Sequence, residues 1–366
     1  MLRLRIALAS FVLAVLAVSA RATTVSIDSK AASATLTALQ NPKLTRQESL
    51  AIAEMRGNQG VLRKAHEFKV GVTTQSFADA LFDAAHGIAP HNKEEAYFLF
   101  DMIKPKAPAL LKLVDEIQQS PERFQQPIQS RVAEFSPVDL QLPLEGYIVA
   151  AGDGGGYAFG STDFYLNIGI MDELIVARTT IAHELYHAVQ GAFAKESGRV
   201  GDLPDLTGMS SERQSCLKTK QLFTNLYEEG SALYVEDITL LQQAQSSIGK
   251  RQEADLTDGI KHVSTSVSLL EMSVIALNAA HPMAYDDVYD VGFYGHGVLY
   301  NFGYVIALGI AEKDGPQGLA KYLKLPPEKF VLRYTQLKQY GRDKQHPALG
   351  AETLRAAQSL PRFCPK

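Results

Sequence analysis

The chain is short of cysteine, of basic clusters and of long apolar runs, and each shortage removes a class of protein. Only Cys216 and Cys364 occur in 366 residues, and neither lies near the N-terminal segment, so attachment to a lipid through cysteine is excluded. Lys and Arg number 36 against 40 Asp and Glu, a formal charge of −4, and no stretch concentrates the positive side chains, which argues against a nucleic-acid binder. Two apolar stretches, residues 6–17 and 294–312, fall short of a comfortable bilayer span of ~20 residues, and no stop-transfer pattern follows the first. The glycine cluster at 152–156 lacks the Lys-Ser/Thr ending of a phosphate loop and does not have dinucleotide-binding spacing.

What is present begins with an export signal. A basic start, the apolar run at 6–17 and Ala20-Arg21-Ala22 form the three parts of a secretory signal peptide, residues 1–22, cleaved after Ala22. Its removal takes away Arg3, Arg5 and Arg21 and moves the formal charge to about −7. The expected location is therefore secreted or periplasmic. Disulfides persist there, and Cys216 and Cys364 are expected to pair, tying the C-terminus to the segment before the second chemical helix; two unpaired thiols are the alternative.

Apolar residues make up 46% of the chain, enough for the core of one large or two ordinary domains. Residues 23–40 read as a flexible lead-in or a short propeptide. From Leu44 to Val132 apolar residues recur three and four apart, as in helices, with Pro105 and Pro108 as breaks. His66, His86 and His91 in this region, and His262 and His281 later, read as ordinary surface, capping or satisfied histidines. Strand-like runs follow at 146–151 and 163–168, with the glycines between them read as a hairpin connection and a rim of a cleft whose strand edge could take an extended peptide.

The next helical run carries His183-Glu184-Leu185-Tyr186-His187. Residues four apart on a helix sit about 40° apart around its axis, so His183 and His187 offer both imidazoles to one metal ion. Glu184 is turned about 100° from His183, beside the metal's water rather than on the metal. Leu174, Ala177, Ile181, Leu185, Ala188 and Ala192 gather on the opposite face.

Two histidines leave a zinc site short of a protein ligand. On the helix expected from Leu222 to Leu240, Glu229 falls in the apolar stripe of Leu222, Leu226, Leu233 and Leu240, where an unpaired carboxylate is costly and a metal ion would compensate it. Pairing with a buried Arg or Lys is the competing account. Glu228 points elsewhere and reads as a solvated or supporting acid; Glu236 falls near the inward stripe, able to orient a histidine. Further on, Tyr300, Tyr294 and His296 are the candidates for donating a hydrogen bond to an oxyanion, Tyr300 first, with a plain core aromatic as its alternative.

His183-Glu184-Leu185-Tyr186-His187 together with Glu229-Gly230-Ser231-Ala232-Leu233-Tyr234-Val235-Glu236 resembles the gluzincin group of zinc metallopeptidases, over roughly residues 145–322, and also sparsely characterised zinc-dependent peptidase families with a later tyrosine-bearing helix. The resemblance implies Zn2+ held by His183, His187 and Glu229, Glu184 as general base, and a peptide or protein substrate. It implies an α+β, predominantly helical fold: a helical N-terminal region at 23–135, then a zincin-like metallopeptidase domain with a small β-sheet at 136–366. The spacing between the motifs exceeds that of the aminopeptidase branch and the exopeptidase signature is missing, so substrate class stays open. A catalytically silent zinc-binding protein that holds a peptide or protein partner in the same cleft is the alternative function, and hydrolysis of a non-peptide amide a weaker third.

Overall fold

The computed structural model describes residues 24–159, 162–171, 173–199, 203–294 and 297–364; the expected signal peptide, residues 1–22, and His296 lie outside the described residues. In chain order the elements are β1 (Thr24–Asp28), α1 (Lys30–Leu39), α2 (Arg46–Ala53), α3 (Arg56–Glu67), α4 (Thr74–Ala85), α5 (Lys93–Ala96), α6 (Phe100–Ile103), α7 (Ala107–Gln119) and α8 (Pro121–Glu134). Then come β2 (Pro143–Val149), β3 (Gly156–Ala158), β4 (Asp163–Asn167), α9 (Leu174–Ser197), α10 (Ser211–Val235), α11 (Ser247–Lys261), α12 (Val263–Leu277), α13 (Tyr285–Gly292), α14 (Val298–Asp314), α15 (Pro316–Ala320), α16 (Pro327–Tyr334) and α17 (Ala351–Phe363). The fold is α+β and predominantly helical with one small sheet. No single helix among the described residues is long and apolar enough to cross a membrane.

The sheet runs in the order β1-β2-β4-β3, with β1, β2 and β4 parallel and β3 antiparallel to β4 at one edge. Register places Tyr147, Tyr165 and Tyr157 side by side across three strands, and their rings stack at 5.3 Å between neighbouring centroids. Helix α3 lies over this ladder. Gly60 meets Tyr165 where a Cβ would collide with the ring, and Arg56 and Lys64, one turn to either side, lie over Tyr147 and Tyr157. Side chains four apart on a helix thus meet aromatic rings on successive strands. Helix α9 packs on β4 and β3, so the sheet sits between the N-terminal helices and the helix of the histidine motif.

Three expectations need correction here. Residues 24–39 are not a loose lead-in: Val25 is buried in β1, and α1 packs so closely on α3 that Gly57 has no room for a Cβ beside Ala31. Pairing between strands more than a hundred residues apart leaves no local trace in the pattern, which is why a short alternating stretch reads as coil. The runs at 146–151 and 163–168 are not two arms of a hairpin, because they are parallel; the antiparallel pair is β3 with β4, because residues 156–158 make a strand of their own. The second chemical helix starts at Ser211, whose N-cap Ser210 accepts from the Arg213 N–H, and ends at Val235. Leu240 therefore lies beyond it in a 3-10 turn, and Ala192 on α9 is exposed.

Cys216 and Cys364 are disulfide-bonded, with Cα atoms 5.8 Å apart and 148 residues between them. Because α10 begins earlier than expected, the bond anchors the C-terminus to that helix itself. Closing so long a loop stabilises by about 5 kcal/mol in the chain-entropy account. The same end is fastened by Glu271 of α12, whose carboxylate accepts the N–H groups of Glu352 and Thr353 and the Thr353 hydroxyl at 2.6–2.9 Å at the start of α17.

Helices α10 and α14 cross with no side chain between them. A Cβ on Gly230 would strike the Gly303 backbone, and one on Gly303 would strike Gly230 and the Leu226 carbonyl. Gly230→Ala is therefore expected to destabilise the protein by roughly 2–3 kcal/mol, the overpacking penalty outweighing the ~1 kcal/mol gain in helix propensity. Denaturant unfolding checks this, and an alanine variant as stable as the native chain would mean that the helices are not in backbone contact.

Candidate metal centre

Helices α9 and α10 bring His183, His187 and Glu229 to one point at the floor of a cleft of about 920 Å³. The Nε2 atoms of the two histidines face each other at 3.0 Å, and Glu229 Oε2 lies 3.6 Å from that of His183 and 3.3 Å from that of His187. The other ring nitrogens are committed elsewhere. Nδ1 of His183 contacts Glu236 Oε2 at 3.2 Å, and a carboxylate only accepts, so this nitrogen carries a proton. Nδ1 of His187 contacts Gln190 Oε1 at 2.7 Å.

The Gln190 amide has only one workable orientation. Its Nε2 donates to the Glu228 carbonyl and to the Ser231 hydroxyl, each at 2.9 Å, and Ser231 spends its own proton on the Tyr227 carbonyl. The Gln190 oxygen must then face His187 and accept from Nδ1–H. Both imidazoles, when neutral, consequently aim an Nε2 lone pair at the same spot, with a carboxylate oxygen alongside. Three electron-rich atoms in contact repel unless positive charge lies among them, and two nitrogens with one oxygen are a donor set that suits zinc.

The titration behaviour expresses the same demand. Burial opposes charge on His183, yet the Glu229 and Glu236 carboxylates against its two ring nitrogens hold its pKa well above the ordinary histidine value. His187 is raised too, burial again being outweighed by Glu229. Burial would push Glu229 up, but the imidazoles hold it far below the carboxylate range.

Glu184 stands outside this convergence. It is buried against the β3 edge, where Gly156 leaves room that any Cβ would take from its Cγ and Oε1. Burial raises its pKa, and the neighbouring histidines offset only part of the rise. Tyr300, in the first turn of α14, has its ring 6.5 Å from that of His183; burial first and the Glu229 charge nearby keep its phenol protonated. Tyr294 is mostly exposed at the rim.

Glu228 is only partly exposed and lies outside the cluster of His183, His187 and Glu229. Its carboxylate takes the Arg199 Nε–H at 2.8 Å, and the Arg199 side chain is fully buried, also donating to the carbonyls of Gln190 and Leu323. A buried arginine thus pairs with the neighbour of Glu229, not with Glu229. Sequence reading missed Gln190, although its place one turn after His187 on the same face is a usable signal. It also missed Arg199 and Lys64, which only the tertiary fold brings near.

Most of the other described histidines have local partners. His66, His86 and His262 bond the carbonyls of Val72, Phe82 and Asp258 at 2.7–3.0 Å. His91 contacts Asp83 at 3.3 Å and, with Glu95, forms a second group whose ligand-type atoms lie within 4.8 Å, but it is exposed and Arg46 already approaches Asp83.

No curated protein and no solved structure matches the chain significantly. A family match covers residues 53–341, a span that takes in the whole cleft from α3 to α14, and by that match the chain belongs to the family described as "Putative zinc dependent peptidase (DUF5700)".

Proposed function

We propose that this chain is a secreted or periplasmic zinc-dependent peptidase of gluzincin type, in which His183, His187 and Glu229 hold the metal and Glu184 is the general base. The observation that carries the reading is the pair of imidazoles fixed by Glu236 and Gln190, with both Nε2 atoms facing one point beside the Glu229 carboxylate. The carboxylate beside them, Glu184, is left free for proton transfer.

Zinc bound there supplies Lewis acidity, polarising a peptide carbonyl and making water acidic enough to attack near neutral pH. Glu184 takes a proton from the attacking water as its oxygen bonds to the carbonyl carbon, then passes it to the amine nitrogen as the C–N bond breaks. Tyr300, kept protonated by burial, is the donor for the oxyanion that develops. The outer edge of β3, next to Glu184, offers backbone groups to an extended peptide as a further strand. Export is supported by the Cys216–Cys364 disulfide, which would not persist in a reducing compartment.

Metal analysis combined with digestion of an unbiased peptide library tests the reading. About one zinc per chain with cleavage is expected. Zinc without cleavage would mean a binding protein using the same cleft, and absence of zinc would remove both metal-based readings.

A further inference from the structure

The tyrosine ladder and α3 together deliver a cation to the catalytic cleft. Lys64 is the one Lys or Arg among the described residues that line it, on the wall formed by β3 and opposite α13, which contributes Asp286. Its ammonium lies 5.0 Å from the Phe68 ring centre and 5.8 Å from that of Tyr157, whose ring is pinned against Tyr165. The side chain is 22% exposed and so partly desolvated.

One of the three ammonium protons is used within the protein, in a 3.0 Å bond to Glu67, which is itself 47% exposed. An exposed pair one turn apart on a helix is weak and readily rearranged. The ammonium lines the same cleft as Gly156 and Ala158 of β3 and the Glu184 side chain.

We infer that Lys64 is a specificity-determining residue that reads a carboxylate on the substrate, either an acidic side chain close to the scissile bond or the free C-terminus. The inference rests on the peptidase reading for the word substrate, but the binding it describes does not need turnover. A carboxylate laid along β3 gains the ammonium, which the Phe68 and Tyr157 rings hold in place, whereas a basic side chain in the same position meets like charge. Charge-assisted hydrogen bonds on a partly shielded lysine correspond to a preference of roughly tenfold.

The test uses zinc-loaded full-length chain and matched peptides carrying Glu, Gln or Lys at each position around the scissile bond, each made as free acid and as C-terminal amide. Binding is read by fluorescence anisotropy on the Glu184→Gln variant, and cleavage on the wild type. The expected result is a carboxylate preference of about tenfold that Lys64→Gln abolishes, Lys64→Arg retains and Lys64→Glu turns towards lysine-bearing peptides. A preference confined to free acids assigns the C-terminus; one for internal Glu assigns a side chain.

Cleavage with no carboxylate preference, or a preference that survives in Lys64→Gln, overturns the inference and leaves the peptidase reading intact. Carboxylate-dependent binding without cleavage does the reverse. Failure of every peptide to bind overturns both.

Discussion

Replacing Glu184 by Gln is expected to lower the rate of peptide hydrolysis by roughly 10²–10⁴-fold, the usual range for a positioned general base, with zinc content unchanged. The two halves of that outcome have separate structural causes. Zinc is retained because Glu184 is not among the atoms that converge at the centre, and Gln has the same shape, so it fits the space left by Gly156. Activity is lost because an amide cannot accept the proton of the attacking water. Metal analysis and rate measurement on one preparation check both; a metal-loaded Glu184→Gln chain with full activity would eliminate Glu184 as the base.

The second large effect is expected at the neighbouring pair of glutamates, where adjacent substitutions should fail in different ways. Glu229→Ala removes the carboxylate between the two imidazoles and is expected to weaken zinc binding by more than the ~10–100-fold that follows loss of a residue merely supporting a ligand. Glu228→Ala is expected to keep its zinc and instead to destabilise the fold by on the order of 3 kcal/mol, because the buried Arg199 guanidinium loses its carboxylate. Titration calorimetry and unfolding on the two variants separate these outcomes. Equal zinc loss in both would refute the division of labour.

The pH dependence follows in sign. In the metal-free protein the pKa values of His183 and His187 are raised by the carboxylates against them, burial notwithstanding, so protons compete for the same Nε2 atoms. Zinc affinity should fall as pH drops through those raised values, with proton release on binding. Removing Glu229 takes away one cause of the rise and should move this loss of affinity to lower pH.

Much of the centre was legible because helical periodicity is local. Spacings of four and of seven residues suffice to see His183 with His187, or Glu229 and Glu236 on one face, and the structure brings the first three together and sets Glu236 on His183. Glu228 was misread because its partner, Arg199, lies across a loop and gives no sign in the local pattern. The sheet was harder still. β1 joins β2 in parallel across more than a hundred residues, and Lys64 reaches a site more than a hundred residues downstream only because three tyrosines on different strands make a surface for α3. Chemistry written within one helix can be read from the chain; chemistry assembled by strand pairing cannot.

The crossing at Gly230 and Gly303 also bears on how the cleft can move. With backbone against backbone there are no rotamers to exchange and no side-chain layer to compress at this crossing, so the spacing between α10 and α14 is set there by main-chain contact. Glu229 is adjacent to one of these glycines and Tyr300 is one turn from the other, so both inherit that fixed separation. A change in the width of the cleft is then expected to involve other lining elements, such as β3 and α13, rather than the α10–α14 crossing.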